Sequence, residues 1–147
     1  MASDPFLAAA IAQARLGLAE GGIPIGSVLV FRGEIIGRGH NRRVQKASVI
    51  LHAEMDCLEN AGRRPASFYR ECALYTTLSP CPMCSGAILL YKIGRVVVGE
   101  NRTFVGAEDH LRSNGVAIEV RQEPECISLM EQFIAAQANL WHEDIGL

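Results

Sequence analysis

Two short stretches, His52-Ala53-Glu54 and Pro80-Cys81-Pro82-Met83-Cys84, decide the fold expected of this 147-residue chain. Each stretch is predicted to begin a helix, because Pro82 suits a first helical turn and the pattern after His52 continues to Gly62. At a helix start Cys81 and Cys84 can turn both sulfurs to one side. The helix N-terminus also favours the thiolate form, which binds metal ions. The two stretches therefore predict two helices that begin beside one metal site.

His52, Cys81 and Cys84 are predicted to be three ligands of one zinc ion. Three protein ligands leave the fourth tetrahedral position for water, as in catalytic zinc sites, whereas structural sites use four. His40 is the nearest candidate for a fourth ligand, and it lies twelve residues upstream on a different element. The two cysteines alone also fit a redox pair, half of a structural zinc site or a chance pair of helical cysteines. The added histidine favours the catalytic interpretation.

Glu54 is predicted to carry protons in this site. At the first turn of its helix it borders the space beside the metal without being needed as a ligand. The combined pattern H-x-E and P-C-x-x-C is the signature of zinc deaminases of nucleobases, in which the glutamate is the general acid and base. Glu54 would take a proton from the attacking water, pass it to a ring nitrogen and help protonate the departing ammonia. The alternative is a glutamate that only complements the helix dipole.

Composition and charge place the chain among ordinary globular domains. Apolar residues make up 49% and charged residues 20% of the sequence, and this length suits one domain with a sizeable core. We expect a single zinc-dependent deaminase domain over 1–147. The net charge of −2 gives no global attraction to phosphate, so a nucleic-acid partner is disfavoured. Local basic positions do occur at Arg42, Arg43, Lys46, Arg63 and Arg64.

Cysteine usage and the absence of targeting signals predict a cytoplasmic protein. Five cysteines are an odd number, and the first residues lack the basic region of a secretory signal. No apolar run approaches the roughly 20 residues of a membrane span. Cys57, Cys72 and Cys126 lie among apolar neighbours and are expected to be buried thiols.

The spacing of apolar residues predicts strands that alternate with helices. Ser3 or Asp4 can cap a first helix that begins with Pro5 in its first turn. Its apolar face is expected to hold Leu7, Ile11, Ala14 and Leu18. Strands are predicted at about 26–32, 34–39, 72–76, 95–99 and 116–120, and further helices at about 52–62, 82–91, 104–113 and 123–137, with a short helical cap over 141–145. This order predicts an α/β fold, with helices on both faces of a mixed sheet.

The chain resembles the fungal-type (yeast) cytosine deaminases of the cytidine-deaminase superfamily over nearly its whole length. The segments that carry the resemblance are Glu20–Gly26, Gly37–Asn41, Leu51–Glu54, Leu74–Cys81, Met83–Ile88, Val97–Asn101 and Trp141–Gly146. The Leu-Ser-Pro-Cys turn, the Val-Gly-Glu-Asn strand end and the Glu-Asp-Ile-Gly tail are more specific to this branch than the zinc motif. The resemblance implies a three-layer α/β/α sandwich with a central five-stranded mixed sheet. It also implies one catalytic zinc ion per chain, a homodimer and a pocket closed by the C-terminal tail.

The resemblance further implies polar contacts to the substrate. Asn41 matches a residue that hydrogen-bonds the pyrimidine edge through its side-chain amide, and Asp144 a tail carboxylate that accepts from the exocyclic amine. Ala53 stands where the yeast-type enzyme has glycine, and its backbone N–H can still donate to the substrate carbonyl. Ser79, in the Leu-Ser-Pro-Cys turn, belongs to the same substrate-binding set.

Apolar walls of the pocket are implied in the same way. Phe104 and Trp141 match its aromatic walls, and Ile25 matches an apolar contact beneath the base. Besides Ala53, two further positions depart from the yeast-type pattern: Pro82 replaces an acidic residue between the cysteines, and His142 replaces a phenylalanine beside Trp141. The first departure gives P-C-P-M-C, a form also seen in guanine deaminases and tRNA adenosine deaminases.

The expected function is hydrolysis of free cytosine to uracil and ammonia. A closed pocket suits a small nucleobase better than a polynucleotide. Another amino-heterocycle, such as guanine, isocytosine or a substituted cytosine, is a second substrate class, because the shape of the pocket sets that choice. A tRNA adenosine deaminase and a non-catalytic interaction module stabilised by zinc are the remaining alternatives.

Overall fold

The structure, a computed structural model, describes residues 4–147. The order of its elements is α1 (Pro5–Ala19), β1 (Gly26–Phe31), β2 (Glu34–His40), α2 (Ala53–Ala61), α3 (Ala66–Arg70), β3 (Cys72–Thr76), α4 (Pro82–Tyr91), β4 (Arg95–Val98), α5 (Glu108–Ser113), β5 (Ala117–Val120), α6 (Pro124–Ala136) and α7 (Ala138–Asp144). Across this described range, no helix combines the length and apolar character that a membrane crossing requires.

The five strands form one mixed sheet in the order β2-β1-β3-β4-β5. Strand β1 is antiparallel to both β2 and β3, whereas β3, β4 and β5 are parallel to one another. As a result, β2, β3, β4 and β5 all run in one direction, and their C-terminal ends lie at one edge of the sheet.

Helices cover both faces of the sheet, which confirms the expected three-layer α/β/α sandwich. Successive residues of a strand point to opposite faces, and β1 shows this directly. Leu29 packs in a cluster with residues of α2, α3, α4 and α5. Its neighbours Val28 and Val30 pack in a second cluster with residues of α1 and α6.

A hairpin joins β1 to β2 through the pair Arg32 and Gly33. Both have positive φ angles, 48° and 81°, as the tightest two-residue hairpin turns require, and glycine adopts such angles without strain. The hairpin places β2 at the edge of the sheet, where α2 packs against it.

Helix α1 begins where the sequence predicts, but the last residue of its buried face is not the predicted one. The Asp4 carboxylate accepts from the backbone N–H groups of Phe6 and Leu7, while Ser3 lies outside the described residues. The prediction that Leu18 belongs to the buried face is wrong, because its side chain is 42% exposed. Gly17 takes the inward position, since a Cβ there would lie 3.1 Å from the His40 ring.

The prediction of a helix over 104–113 is wrong for its first four residues, because α5 begins only at Glu108. The Glu100 carboxylate accepts from the backbone N–H groups of Arg102 and Thr103, which folds the preceding segment into a turn. Gly106 lies so close to the Pro80 carbonyl that a Cβ there would overlap it. Helix α3, with five residues, was not predicted because so short a segment carries no periodic pattern.

Candidate active site

The site lies at the sheet edge where β2, β3 and β4 end. The loop after β2 carries Asn41, the turn after β3 carries Ser79, and the loop after β4 carries Phe104. Ligands of α/β proteins commonly bind beyond the carboxyl ends of strands. Helices α2 and α4 begin at this edge, with His52 and Cys81 at their N-cap positions.

The predicted metal ligands come together in space. One ligand atom from each of His52, Cys81 and Cys84 lies within 4.8 Å of the others, and within 4–147 these residues form the one such group. His52 Nδ1 is 3.4 Å from the Cys81 Sγ and 3.7 Å from the Cys84 Sγ. Nitrogen and sulfur ligands of a tetrahedral zinc ion are separated by roughly 3.5 Å. The donor set and its spacing therefore fit zinc.

His40 does not complete a four-ligand structural site. Its ring is buried against α1, where Nδ1 lies 3.2 Å from the Gln13 Oε1 and Nε2 lies 2.8 Å from the Glu20 Oε1. Both ring nitrogens are thus engaged outside the metal group. The described residues supply three ligands, as an open catalytic site requires.

The two cysteine thiols have opposite acidities. Hydrogen bonding from the Cys84 thiol and backbone N–H, together with His52, lowers the pKa of Cys81 to about 4 despite its burial. The pKa of Cys84 is raised well above its ordinary value by its hydrogen bond to Cys81 and by burial. Cys81 therefore presents a thiolate without help from a metal, whereas Cys84 loses its proton on metal binding.

Glu54 lies beside the metal ligands as the sequence predicts. It is the second residue of α2, it is buried, and it lines the pocket next to His52. Burial raises the pKa of its carboxyl to about 7, and the nearby charge of Cys81 acts in the same direction. A carboxyl with a pKa near neutrality can both accept and return a proton at that pH.

The pocket is small, and two aromatic rings form part of its wall. Its cavity volume is about 20 Å³, space for about one water molecule. Phe104 and Trp141 pack edge to face in this wall, with ring centroids 5.7 Å apart. Six of the seven predicted substrate-binding residues line it, namely Ile25, Ala53, Ser79, Phe104, Trp141 and Asp144. Leu78 and Ile145 also line it, and sequence reasoning had not named them.

Asn41 is the predicted contact that is not among the pocket-lining residues. It is fully buried, and its side-chain amide donates to the Asp144 Oδ2 over 3.0 Å. Its Oδ1 accepts from the Arg43 backbone N–H at 2.9 Å. The amide has two N–H donors, so one donor is left after the bond to Asp144.

Asp144 is held by three residues at the pocket wall. Its Oδ1 lies 2.7 Å from the Arg43 Nε and 3.2 Å from the His52 Nε2, and its Oδ2 accepts from Asn41. Burial would raise the pKa of this carboxyl, but His52 and Arg43 outweigh burial and hold it below the usual value. An ionised carboxylate offers about four acceptor positions, so one position is left for a ligand.

The Ser79 hydroxyl is occupied by the protein itself. It donates to the Glu108 Oε2 and accepts from the Gly106 backbone N–H at 2.8 Å. Glu108 is buried and also accepts from the Asn101 side chain at 3.2 Å. Ser79 therefore ties the Phe104 loop to the turn that carries the cysteines, in addition to lining the pocket.

Two of the local basic positions are neutralised within the protein. Arg42 pairs with Asp56 at 2.9 Å, and Arg43 pairs with Asp144 and Glu143 at 2.7 and 3.1 Å. The role of Arg43 was missed because its partners lie about 100 residues away in sequence.

Comparisons with known proteins agree with this geometry. The family model "Cytidine and deoxycytidylate deaminase zinc-binding region" matches residues 2–100. A cytosine deaminase from Candida albicans is 52% identical over 141 residues, which cover 95% of this chain and 94% of that protein. A tRNA-specific adenosine deaminase from Streptococcus pyogenes is 42% identical over 105 residues, which cover 70% of this chain and 66% of that protein.

A solved structure of a guanine deaminase from Nitrosomonas europaea has a TM-score of 0.74 and 20% identity, covering 92% of this chain and 87% of that chain. At that identity the likeness shows the fold alone. The expected zinc cofactor and deaminase class are confirmed by the family match together with the metal group. Because the family model covers more than half of the chain and the Candida protein matches it almost from end to end, the chain belongs to the cytidine and deoxycytidylate deaminase family of zinc-dependent enzymes.

Proposed function

We propose that this protein hydrolyses free cytosine to uracil and ammonia. The observation that carries the choice of cytosine is the 52% identity to the Candida albicans cytosine deaminase, which extends over 95% of the chain. The small pocket, whose wall includes two aromatic rings, agrees with a free base as the substrate.

The chain's own residues supply binding and proton transfer in this mechanism. Zinc held by His52, Cys81 and Cys84 would lower the pKa of a water molecule toward about 7. Glu54 takes a proton from the attacking water and delivers it to the ring nitrogen of cytosine. The hydroxide left by that transfer adds to the carbon that bears the amine. Glu54 then takes the proton of the new hydroxyl group and passes it to the amine, which leaves as ammonia when the carbon–nitrogen bond breaks and the uracil carbonyl forms.

The remaining pocket residues orient the base. Ala53 occupies the first position of α2, where a backbone N–H has no partner inside the helix and can donate to the substrate carbonyl. The vacant acceptor position of Asp144 receives the exocyclic amine, and we assign the second side-chain N–H of Asn41 to the ring edge. Phe104 and Trp141 enclose the base, Ile25 supports it from below, and Ser79 fixes the wall beside it.

We also propose that 1–147 acts as one catalytic domain and forms a homodimer in the cytoplasm. The exposed side of α4 supports the dimer, because Leu90 there is 70% exposed while Ile88 on the same helix is buried. Tyr91, the next residue, is also exposed, and neighbouring exposed apolar side chains favour contact with a second chain. Return of cytosine to the uracil pool would give the enzyme a role in pyrimidine salvage.

A second candidate function is deamination of adenosine in tRNA. The 42% identity to the Streptococcus pyogenes enzyme favours it, although that match covers a smaller part of the chain. Ammonia release from the zinc-loaded protein should be measured with cytosine, isocytosine, guanine, adenine, cytidine and a tRNA anticodon stem-loop. Cytosine should react fastest, and preferential turnover of the stem-loop would replace the proposal with the second candidate.

Replacement of Glu54 tests the mechanism. We expect Glu54→Gln to keep the bound zinc and the fold but to lose at least about 100-fold in kcat for ammonia release from cytosine, because proton transfer by a positioned group contributes that much. Glu59→Gln, an exposed residue of the same helix, is the matched control and should retain full activity. Unchanged turnover in Glu54→Gln would contradict the proposed role.

A further inference from the structure

Helix α7 covers the pocket and is tied to the rest of the molecule by Arg43. The helix contributes Trp141 and Asp144 to the pocket wall. Arg43 lies in the loop after β2, and its guanidinium donates from Nε to the Asp144 Oδ1 at 2.7 Å and from Nη1 to the Glu143 Oε2 at 3.1 Å. Its backbone N–H donates to the Asn41 Oδ1. One arginine thus joins the loop after β2 to two consecutive residues of α7.

The partners of Arg43 differ greatly in exposure. The Asp144 side chain is 1% exposed, whereas that of Glu143 is 62% exposed. A charge pair removed from water makes shorter and stronger hydrogen bonds than an exposed pair, and the loss of one partner leaves the other charge buried and uncompensated. Most of the effect of Arg43 therefore acts through Asp144.

The Arg43–Asp144 pair also determines where the carboxylate lies relative to the metal site. The same Oδ1 that binds Arg43 lies 3.2 Å from the His52 Nε2, while the His52 Nδ1 faces the two cysteines. Outer partners of this kind orient a metal-binding histidine ring. Arg43 itself does not reach the pocket lining.

We propose that Arg43 is a positioning residue that holds α7 closed over the pocket and fixes Asp144 between His52 and the substrate. A guanidinium fork is needed because its Nε and Nη1 serve different carboxylates, which one lysine ammonium cannot do with the same geometry. The kinetic part of this inference rests on the proposed function, whereas the closure of the helix does not.

Trp141 offers a direct measure of closure. It is the single tryptophan of the chain, it is buried on α7, and it packs against Phe104. In the zinc-loaded protein, Arg43→Ala should shift the tryptophan emission to the red and increase its quenching by acrylamide. Arg43→Lys should give an intermediate change, and Glu143→Gln only a small one because that carboxylate is exposed. If Arg43→Ala is poorly folded, Arg43→Lys and Glu143→Gln still provide the test, because quenching should increase more in Arg43→Lys than in Glu143→Gln.

Arg121→Ala is the matched control, because Arg121 also bridges two carboxylates, Asp4 and Glu119, away from the pocket. It should change stability but neither quenching nor KM. For cytosine, Arg43→Ala should raise KM about tenfold or more with a smaller change in kcat, since truncation of a charge pair at a binding site weakens binding by at least that factor. Wild-type quenching in Arg43→Ala, or an equal change in Arg121→Ala, would overturn the proposal. Absence of cytosine turnover in the wild type would reject the proposed function, while the quenching result would still decide the closure.

Discussion

At the residue scale, Cys81 and Cys126 show how the surroundings of a thiol change its pKa. Hydrogen bonds at the start of α4 lower the pKa of Cys81 to about 4. Burial on α6, with the charges of Glu123 and Glu100 nearby, raises the pKa of Cys126 to about 12. The first thiol is therefore suited to bind a metal ion, whereas the second behaves as a small apolar side chain of the core.

The raised pKa of Cys126 predicts a loss of stability at high pH. The unfolded chain releases the thiol proton near the ordinary value of about 8.5, whereas the folded chain retains it to about 12. The contribution of this thiol is therefore complete below the unfolded pKa and falls as pH rises toward the folded one, by up to about 1.4 kcal/mol per pH unit.

The measurement is urea unfolding with reductant at about pH 8 and about pH 10.5, two values that span the titration of the unfolded thiol. The drop in the free energy of unfolding should be smaller in Cys126→Ala than in the wild type. Cys72→Ala should reduce the drop by nearly the same amount, since burial raises the pKa of Cys72 to about 11, which also lies above the higher pH. Equal drops in the wild type and Cys126→Ala would contradict the prediction.

At the element scale, the loop between β4 and α5 gives the pocket one of its aromatic walls. Glu100 is fully buried at its start, and its carboxylate accepts from two backbone N–H groups at 2.7 and 2.9 Å and contacts the Thr103 hydroxyl. Glu108 at its end accepts from Ser79. Two buried carboxylates thus set the path of the loop, and with it the place of Phe104.

Removal of the Glu100 carboxylate should loosen this loop and weaken substrate binding. Glu100→Ala leaves two part-buried backbone donors without their partner, and each lost hydrogen bond costs about 0.5–1.5 kcal/mol. We expect a lower free energy of unfolding in urea together with a raised KM for cytosine, with zinc still bound. Glu131→Ala, at an exposed position of α6, should change neither quantity. Wild-type stability and KM in Glu100→Ala would show that the loop is set by other contacts.

At the scale of the whole molecule, the common direction of three strands brings the residues of the site together. The metal ligands, Asn41 and Phe104 come from segments far apart in sequence, yet they meet because β2, β3 and β4 run the same way. The elements of this arrangement follow from sequence patterns, and most predicted bounds differ from the observed ones by one or two residues. The start of α5 and the existence of α3 did not follow, since side-chain hydrogen bonds and short length override periodicity there.

The proposed homodimer can be tested by sedimentation of the zinc-loaded protein. We expect twice the mass of the chain for the wild type and a shift toward the single chain for Leu90→Asp, because a buried unpaired charge opposes association. Leu16→Asp, which alters an exposed leucine of α1, is the matched control and should leave the mass unchanged. A monomeric wild type would contradict the dimer without affecting the catalytic proposal.

The sequence by itself predicted the candidate metal ligands and the proposed proton carrier. His52, Glu54, Cys81 and Cys84 lie within two short stretches at helix starts, so local geometry is enough to direct them to one site. It also predicted most of the pocket wall through the resemblance to cytosine deaminases. Only the tertiary structure decided that Asp144 bonds to His52 and that Asn41 and Arg43 hold it in place. These contacts join α7 to a loop about 100 residues earlier, and no local propensity or periodic pattern encodes a pairing at that distance.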